Sequence, residues 1–175
     1  MSAIETEKQA IRKRLLATRN AHAKPKDFSL QAKELIESQS GLIASYSATE
    51  TEPETKAINN LLAASQRLVL PEISGSNLIW RIPEKLFPGP HRILSPIGPK
   101  VELSEISLVV TPAVAVDSKG IRLGKGGGYY DRALADFQGL VYALIFESEY
   151  LESLPMESHD VKIDGVITEK TIRTF

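Results

Sequence analysis

Apolar positions recur at helical spacing early in the chain and in short unbroken runs further on. Ile4, Ile11 and Leu15 share one face at about 100° per residue, which predicts a helix over 4–22. Phe28, Ala32, Leu35 and Ile36 repeat that spacing, with Pro25 and Asp27 as the break and cap before them. GLIASYSA, 41–48, is apolar without a helical stripe and reads as a strand. Ile58, Leu61 and Leu62 mark a helix over 53–66, and RLVLPEI, 67–73, a strand. Residues 74–105 are rich in Pro and Gly, and only LIWRI suits a strand there. The longest apolar run, SLVVTPAVAV, 107–116, reads as a buried strand with Pro112 at its carboxyl edge. A glycine loop follows, then a helix over 129–137, a strand at 140–146, a helical turn near 148–154 and a strand pair around 161–168.

Strand runs bounded by helical patterns predict an α/β chain, a three-layer α/β/α sandwich around a mainly parallel sheet. At 175 residues it suits one domain, 1–175. Ligands of such sheets bind where loops leave the carboxyl ends of the strands, and the glycine loop follows the most buried run. The net charge of -1 means that anion recognition must come from a local cluster, and nothing suggests a nucleic-acid partner. The chain has no cysteine, which removes thiolate chemistry, and its three histidines, His22, His91 and His159, are scattered. No apolar run approaches the roughly 20 residues of a membrane span, and the first residues lack a signal-peptide core. A soluble, cytoplasmic protein, a monomer acting on small molecules, is the expectation.

The richest segment is Asp117-Ser-Lys-Gly-Ile-Arg-Leu-Gly-Lys-Gly-Gly-Gly-Tyr-Tyr-Asp-Arg132. Gly124, Gly126, Gly127 and Gly128 permit sharp turns and close approach of a ligand to the backbone. Successive N–H groups there can converge on an anion, with Arg122 and Lys125 adding full charge. The P-loop is excluded because Gly126 follows Lys125 where Ser or Thr is needed. The dinucleotide fingerprint is excluded because Tyr129 takes its third glycine position. A phosphate cradle and a tight structural turn both fit. Three consecutive glycines between charged side chains, with no evident packing gain, favour the cradle.

Other residues carry two readings each. Lys8, Arg12 and Arg19 fall within about 40° of one another on a helical wheel, either a solvated basic face or a rim reaching into a cleft. Glu54 and Thr55 read as caps for the helix after Pro53. Asp131 suits a helix N-terminus, but beside a triphosphate it would need a cation between them, and magnesium is the usual one. Asp164-Gly165 is a turn signal as well as a candidate ligand. Of Tyr129 and Tyr130, at least one is expected to pack the helix on the sheet. Trp80 and Phe87 read as core.

Arg122-Leu-Gly-Lys-Gly-Gly-Gly-Tyr-Tyr-Asp131, with Val109–Asp117 upstream and His159–Asp164 downstream, resembles the signature of the 5-formyltetrahydrofolate cyclo-ligases. The resemblance runs from Lys8 to about Thr168. It implies a fold similar to the sugar-phosphate isomerase and CoA transferase type. The implied reaction is the ATP-dependent closure of 5-formyltetrahydrofolate to 5,10-methenyltetrahydrofolate. It implies that Lys8 and Arg12 help hold ATP with Arg122, Leu123, Gly124, Lys125, Gly126, Gly127, Gly128, Tyr129 and Tyr130. Arg122 and Lys125 would act in catalysis, Glu52 would take the pterin beside Tyr129 and Tyr130, and Asp131 and Asp164 would lie near magnesium. The segment around His91 lines the folate pocket in relatives, many of which carry an acid or amide where this chain has Ser95. A non-catalytic folate or nucleotide binder is the competing reading. A sugar-phosphate enzyme is another, but no clear acid/base residue stands outside the phosphate site.

Overall fold

The computed structural model describes residues 2–22, 27–90, 93–157 and 160–175. Its centre is a seven-stranded sheet in the order β12-β11-β9-β6-β1-β2-β3. The strands are β1 (Leu42–Ala44), β2 (Leu68–Ser74), β3 (Asn77–Arg81), β6 (Ile106–Pro112), β9 (Leu140–Leu144), β11 (Gly165–Ile167) and β12 (Ile172–Thr174). The inner five run parallel, and β3 and β12 pair antiparallel at the edges. This is the mainly parallel α/β arrangement that the alternating pattern predicts.

Alternation along the buried strands divides the core in two. Ile43, Leu68, Leu70, Leu108, Val110 and Leu144 face α2 (Ser29–Ser38) and α3 (Lys56–Ala64), which contribute Phe28, Ala32, Ile36, Ile58 and Leu62. Ala44, Val69, Val109, Val141, Ala143 and Val166 face the other way, towards Trp80, Leu134 and Val116. There the cover is α4 (Tyr129–Ala133) and a smaller sheet, β10-β7-β8. The small sheet comprises β7 (Ala115–Asp117), β8 (Arg122–Leu123) and β10 (Tyr150–Leu151). Helix α1 (Ala3–His22) closes this side, Ile11, Leu15 and Leu16 packing on Val114, Ala115, Ile121 and Leu123. No helix among the described residues is long and apolar enough to cross a membrane.

Several boundaries differ from the pattern. Ile4 is exposed, and the buried face of α1 carries Lys8 and Arg19 instead, at 4% and 3% exposure. The basic stripe is therefore not a solvated face. Asp27 accepts the Ser29 N–H at 2.8 Å, as a cap before α2 should, whereas Pro25 lies outside the described residues. Glu54 likewise accepts the Lys56 N–H at 2.8 Å. Thr55 occupies the N-cap position of α3, but its hydroxyl donates to the Tyr46 carbonyl at 2.7 Å, tying down the loop after β1, and makes no cap bond to the helix. The run 107–116 is two strands, because the chain leaves the large sheet after Pro112 and joins the small one at Ala115. The glycine loop thus follows β8, not the central strand.

Helix α4 stops at Ala133, four residues short of the predicted end. Of the expected strand pair around 161–168 only β11 lies there, and its partner β12 comes later. Residues 85–97 add an unpredicted hairpin of β4 (Lys85–Pro88) and β5 (Leu94–Ile97). Phe87 sits on it 48% exposed, so it is not core, whereas Trp80 is buried as expected.

The edge at β12 is held by a charged clamp. Glu147 accepts from Arg173 at 2.5 and 3.2 Å and from the Thr168 hydroxyl at 2.6 Å, and these bonds hold its carboxyl below the ordinary 4.5. A lowered carboxyl favours folding above that ordinary value, and the gain is lost as pH falls through the lowered one. Glu147→Gln is expected to lower the melting temperature near neutral pH and to flatten its decline below pH 4.5. Parallel melting curves for the two proteins across that range would show that the clamp contributes nothing.

Candidate functional site

A cavity of about 490 Å³ opens at the carboxyl ends of the parallel strands. Its walls are the loop after β1 (Tyr46, Ser47, Thr49, Glu52), Pro112 and Ala113 after β6, the glycine loop, and Glu5, Lys8 and Arg12 of α1. Strand β1 ends after three residues, and the chain that peels away from it forms the first wall. Pro112, which lacks an N–H, ends β6 at the same level.

The glycine loop joins β8 to α4 as the pattern requires. Gly126 and Gly128 adopt φ of 101° and 66°, a region that side chains other than glycine rarely enter. At Gly128 a Cβ would also stand 2.6 Å from Arg132 Nη1. The five residues of α4 give little helix dipole, so any donors for an anion come from the loop itself.

Of the cationic residues that the sequence singled out, Lys8, Arg12, Arg122 and Lys125 converge on this cavity, each held by a carboxylate, whereas Arg19 pairs with Glu149 outside it. Arg122 is buried, donates to Asp131 Oδ1 at 2.7 Å and lies 5.8 Å over the Tyr130 ring. Arg12 donates to the Gly124 carbonyl and to Glu5 Oε1, both at 2.8 Å, and so ties α1 to the loop. Lys8 reaches Asp160 Oδ2 at 2.6 Å and Glu157 Oε2 at 3.0 Å. Burial pulls its ammonium pKa down, but the hydrogen bonds to Asp160 and Glu157 outweigh that and leave it raised. Lys125 meets Glu52 Oε1 at 2.7 Å with its side chain 47% exposed.

Glu52 is the buried partner, its side chain 6% exposed. Its Oε2 accepts both the N–H and the hydroxyl of Thr49 at 2.8 Å. Tyr46 and Tyr130 stand near enough to feel its charge: burial first, then Glu52, pushes both phenols above their ordinary range. A carboxylate held in this way beside aromatic surfaces can accept paired N–H groups from a planar heterocycle.

Lys8, Arg12, Glu52, Arg122, Leu123, Gly124, Lys125, Gly126, Gly127, Gly128, Tyr129, Tyr130 and Asp131 thus share one cavity. Leu123 takes part through its backbone, since its side chain packs under α1. Tyr130 packs edge-on against Trp80 at 6.2 Å, and Tyr129 lies under Arg132. Asp164 does not join them. Its Oδ2 accepts the Val141 N–H at 2.8 Å, at the start of β9. Strand β9 runs parallel to β6, Leu140 beside Leu108 and Leu144 beside Pro112, so Asp164 lies at the end of the sheet away from the cavity. Its turn reading is the one that fits. His91 and His159 lie outside the described residues.

Sequence reasoning missed Glu5, Thr49, Glu157 and Asp160. Thr49-Glu-Thr-Glu52 has the spacing of a capping box, a signal for the Thr49–Glu52 contact. Glu157 and Asp160 meet α1 from a distance that no local pattern spans, whereas Glu5 lies about two turns before Arg12 on the same helix.

Comparison with known proteins agrees with this geometry. The 5-formyltetrahydrofolate cyclo-ligase family matches residues 4–169. The 5-formyltetrahydrofolate cyclo-ligase of Haemophilus influenzae is 31% identical over 94% of this chain and 95% of its own. That of Mycolicibacterium smegmatis is 40% identical over a stretch covering 41% of this chain and only 38% of its own length. The NMR structure of Aquifex aeolicus 5,10-methenyltetrahydrofolate synthetase superposes with a TM-score of 0.82 at 26% identity, covering 95% of this chain and 92% of that one. A family match over nearly all of the chain, with the glycine loop and its cations gathered at one cavity, shows that this chain belongs to the 5-formyltetrahydrofolate cyclo-ligase family.

Proposed function

We propose that the chain converts 5-formyltetrahydrofolate and ATP into 5,10-methenyltetrahydrofolate, ADP and phosphate, as a cytoplasmic monomer. The observation that carries this reading is that one cavity holds both kinds of group: Arg12, Arg122 and Lys125 with the glycine loop, and the enclosed carboxylate Glu52 near Tyr46 and Tyr130. A triphosphate suits the first set and a pterin the second, and sharing one cavity would let the formyl group and the γ-phosphate meet.

The formyl oxygen of an N-formyl amine is a poor leaving group. In the proposed path it attacks the γ-phosphorus, the bond to the β-phosphate oxygen breaks, and ADP departs. N10 then attacks the formyl carbon and loses its proton, and the C–O bond breaks to release phosphate, leaving the N5–C–N10 amidinium. The chain's part is alignment and neutralisation of charge on the transferring phosphoryl group. Lys125 and Arg122 would act there, with Lys8 and Arg12 closing the site from α1.

Magnesium fits as a cation shared between protein and nucleotide. Among the described residues no group of three or more acidic or histidine side chains could cage a metal. A magnesium ion beside phosphates needs only one or two carboxylates. Asp131, which borders the loop, would hold it, and magnesium would draw charge from the phosphate oxygens. Arg122 would then turn from Asp131 towards the phosphates.

The test is the product's near-ultraviolet absorbance, which the 5-formyl precursor lacks. Protein, 5-formyltetrahydrofolate and magnesium should give a rising signal only when ATP is added. A flat trace from folded protein that still binds both ligands would sink the catalytic reading in favour of a binding role.

A further inference from the structure

One ion pair joins residues assigned to different ligands. Lys125, placed with the nucleotide, and Glu52, placed with the pterin, hold each other at 2.7 Å. Their environments are unequal. Lys125 is half exposed and on the glycine segment, whereas Glu52 is almost wholly enclosed and held by two bonds from Thr49. The Lys125 ammonium also reaches the Thr49 hydroxyl at 3.4 Å, so the three side chains form one unit.

This unit has a thermodynamic consequence. A phosphate that draws Lys125 away leaves Glu52 as an enclosed carboxylate without its counterion, which is costly. A folate ring that offers paired N–H groups to Glu52 removes that cost. Conversely, a ring that engages Glu52 releases Lys125 to a phosphate. Each ligand therefore recovers what the other gives up, and linkage makes the gain equal in both directions. Thr49 has a separate part. Its two donors keep Oε2 fixed while Oε1 exchanges partners, so the carboxylate plane does not swing.

We propose that the Glu52–Lys125 pair, positioned by Thr49, couples the two subsites so that nucleotide and reduced folate tighten each other's binding. This rests on the assignment of ATP and folate to the cavity.

The experiment is calorimetric titration of the β,γ-imido analogue of ATP with magnesium, with and without saturating 5-formyltetrahydrofolate. In the unaltered protein the folate should tighten the analogue about tenfold, within the usual range of coupling between sites. With Glu52→Gln, the analogue alone should bind at least as tightly as to the unaltered protein, because Lys125 has lost an anionic competitor. The effect of folate should then fall below about twofold. Lys125→Met breaks the pair from its exposed side and should abolish the coupling too, which guards against misfolding of the Glu52 variant. Thr49→Val should weaken folate binding while leaving that of the analogue alone unchanged, and Thr49→Ser should restore it. Saturable but independent binding of both ligands to the unaltered protein overturns the coupling and spares the functional reading. Failure of the folate to bind at all overturns both.

Discussion

Replacing Lys125 with Ala is expected to cost about 2–4 kcal/mol of transition-state stabilisation, the loss typical of one pre-placed donor on a developing negative charge. In kcat/KM for ATP that is a fall of roughly 30- to 1000-fold. The protein should remain folded. Lys125 is half exposed, so water reaches that side of the pair, and its loss should cost about 1–2 kcal/mol, between an exposed pair and a fully enclosed one. Glu52, left behind, keeps both bonds from Thr49. A large loss of rate in protein that is still folded, with only a modest fall in melting temperature, is thus the expected signature. Unchanged turnover with unchanged KM for ATP would remove Lys125 from the mechanism.

The largest effect on stability is expected from Arg19→Leu. Arg19 and Glu149 are paired at 2.5 Å with side chains 1% and 3% exposed, and Arg19 also donates to the Ala113 carbonyl at 2.6 Å. Its guanidinium lies 5.6 Å over the Phe146 ring. Removing one partner of an enclosed pair leaves the other charge uncompensated, at about 3–5 kcal/mol. Leu at both positions should recover much of this, since well-packed apolar residues replace buried pairs at little cost. Urea unfolding of the single and double variants measures the difference. A single variant within about 1 kcal/mol of the parent would show that Arg19 does not anchor α1. Loss of the anchor should also raise KM for ATP, because Lys8 and Arg12 ride on the same helix and Ala113 borders the cavity.

The parallel core was legible because its strands carry short unbroken apolar stretches at 68–70, 108–110 and 140–144, as strands enclosed on both faces do. The hairpin at 85–97 was not. It is broken by Pro88, Pro90 and Pro96 and leaves Leu86, Phe87, Leu94 and Ile97 exposed, so neither alternation nor burial marks it. The switch of sheets after Pro112 was hidden because both strands are apolar and the pattern does not record which sheet encloses them.

At the site, the glycine loop announced itself because three consecutive glycines have few structural uses. The anionic partners did not. Lys8 meets Asp160 from 152 residues away, and nothing local to either end forecasts the other. Asp164 misled because Asp-Gly serves turns and ligands alike, and only the strand direction separates the two. Arg19 shared a stripe with Lys8 and Arg12 but turns to Glu149, not to the cavity.

Helix α1 precedes the other described elements in the chain, yet its buried ion-pair partners come long after it. Its partners Glu149, Glu157 and Asp160 are separated from it by 130 to 152 residues. Contacts of such range form slowly, because the intervening chain must be ordered before they contribute. During synthesis the helix therefore waits with Ile11, Leu15 and Leu16 uncovered, a natural target for a chaperone that shields apolar faces. Nucleotide affinity should appear only in the last stage of folding, when α1 and residues 149–160 come together.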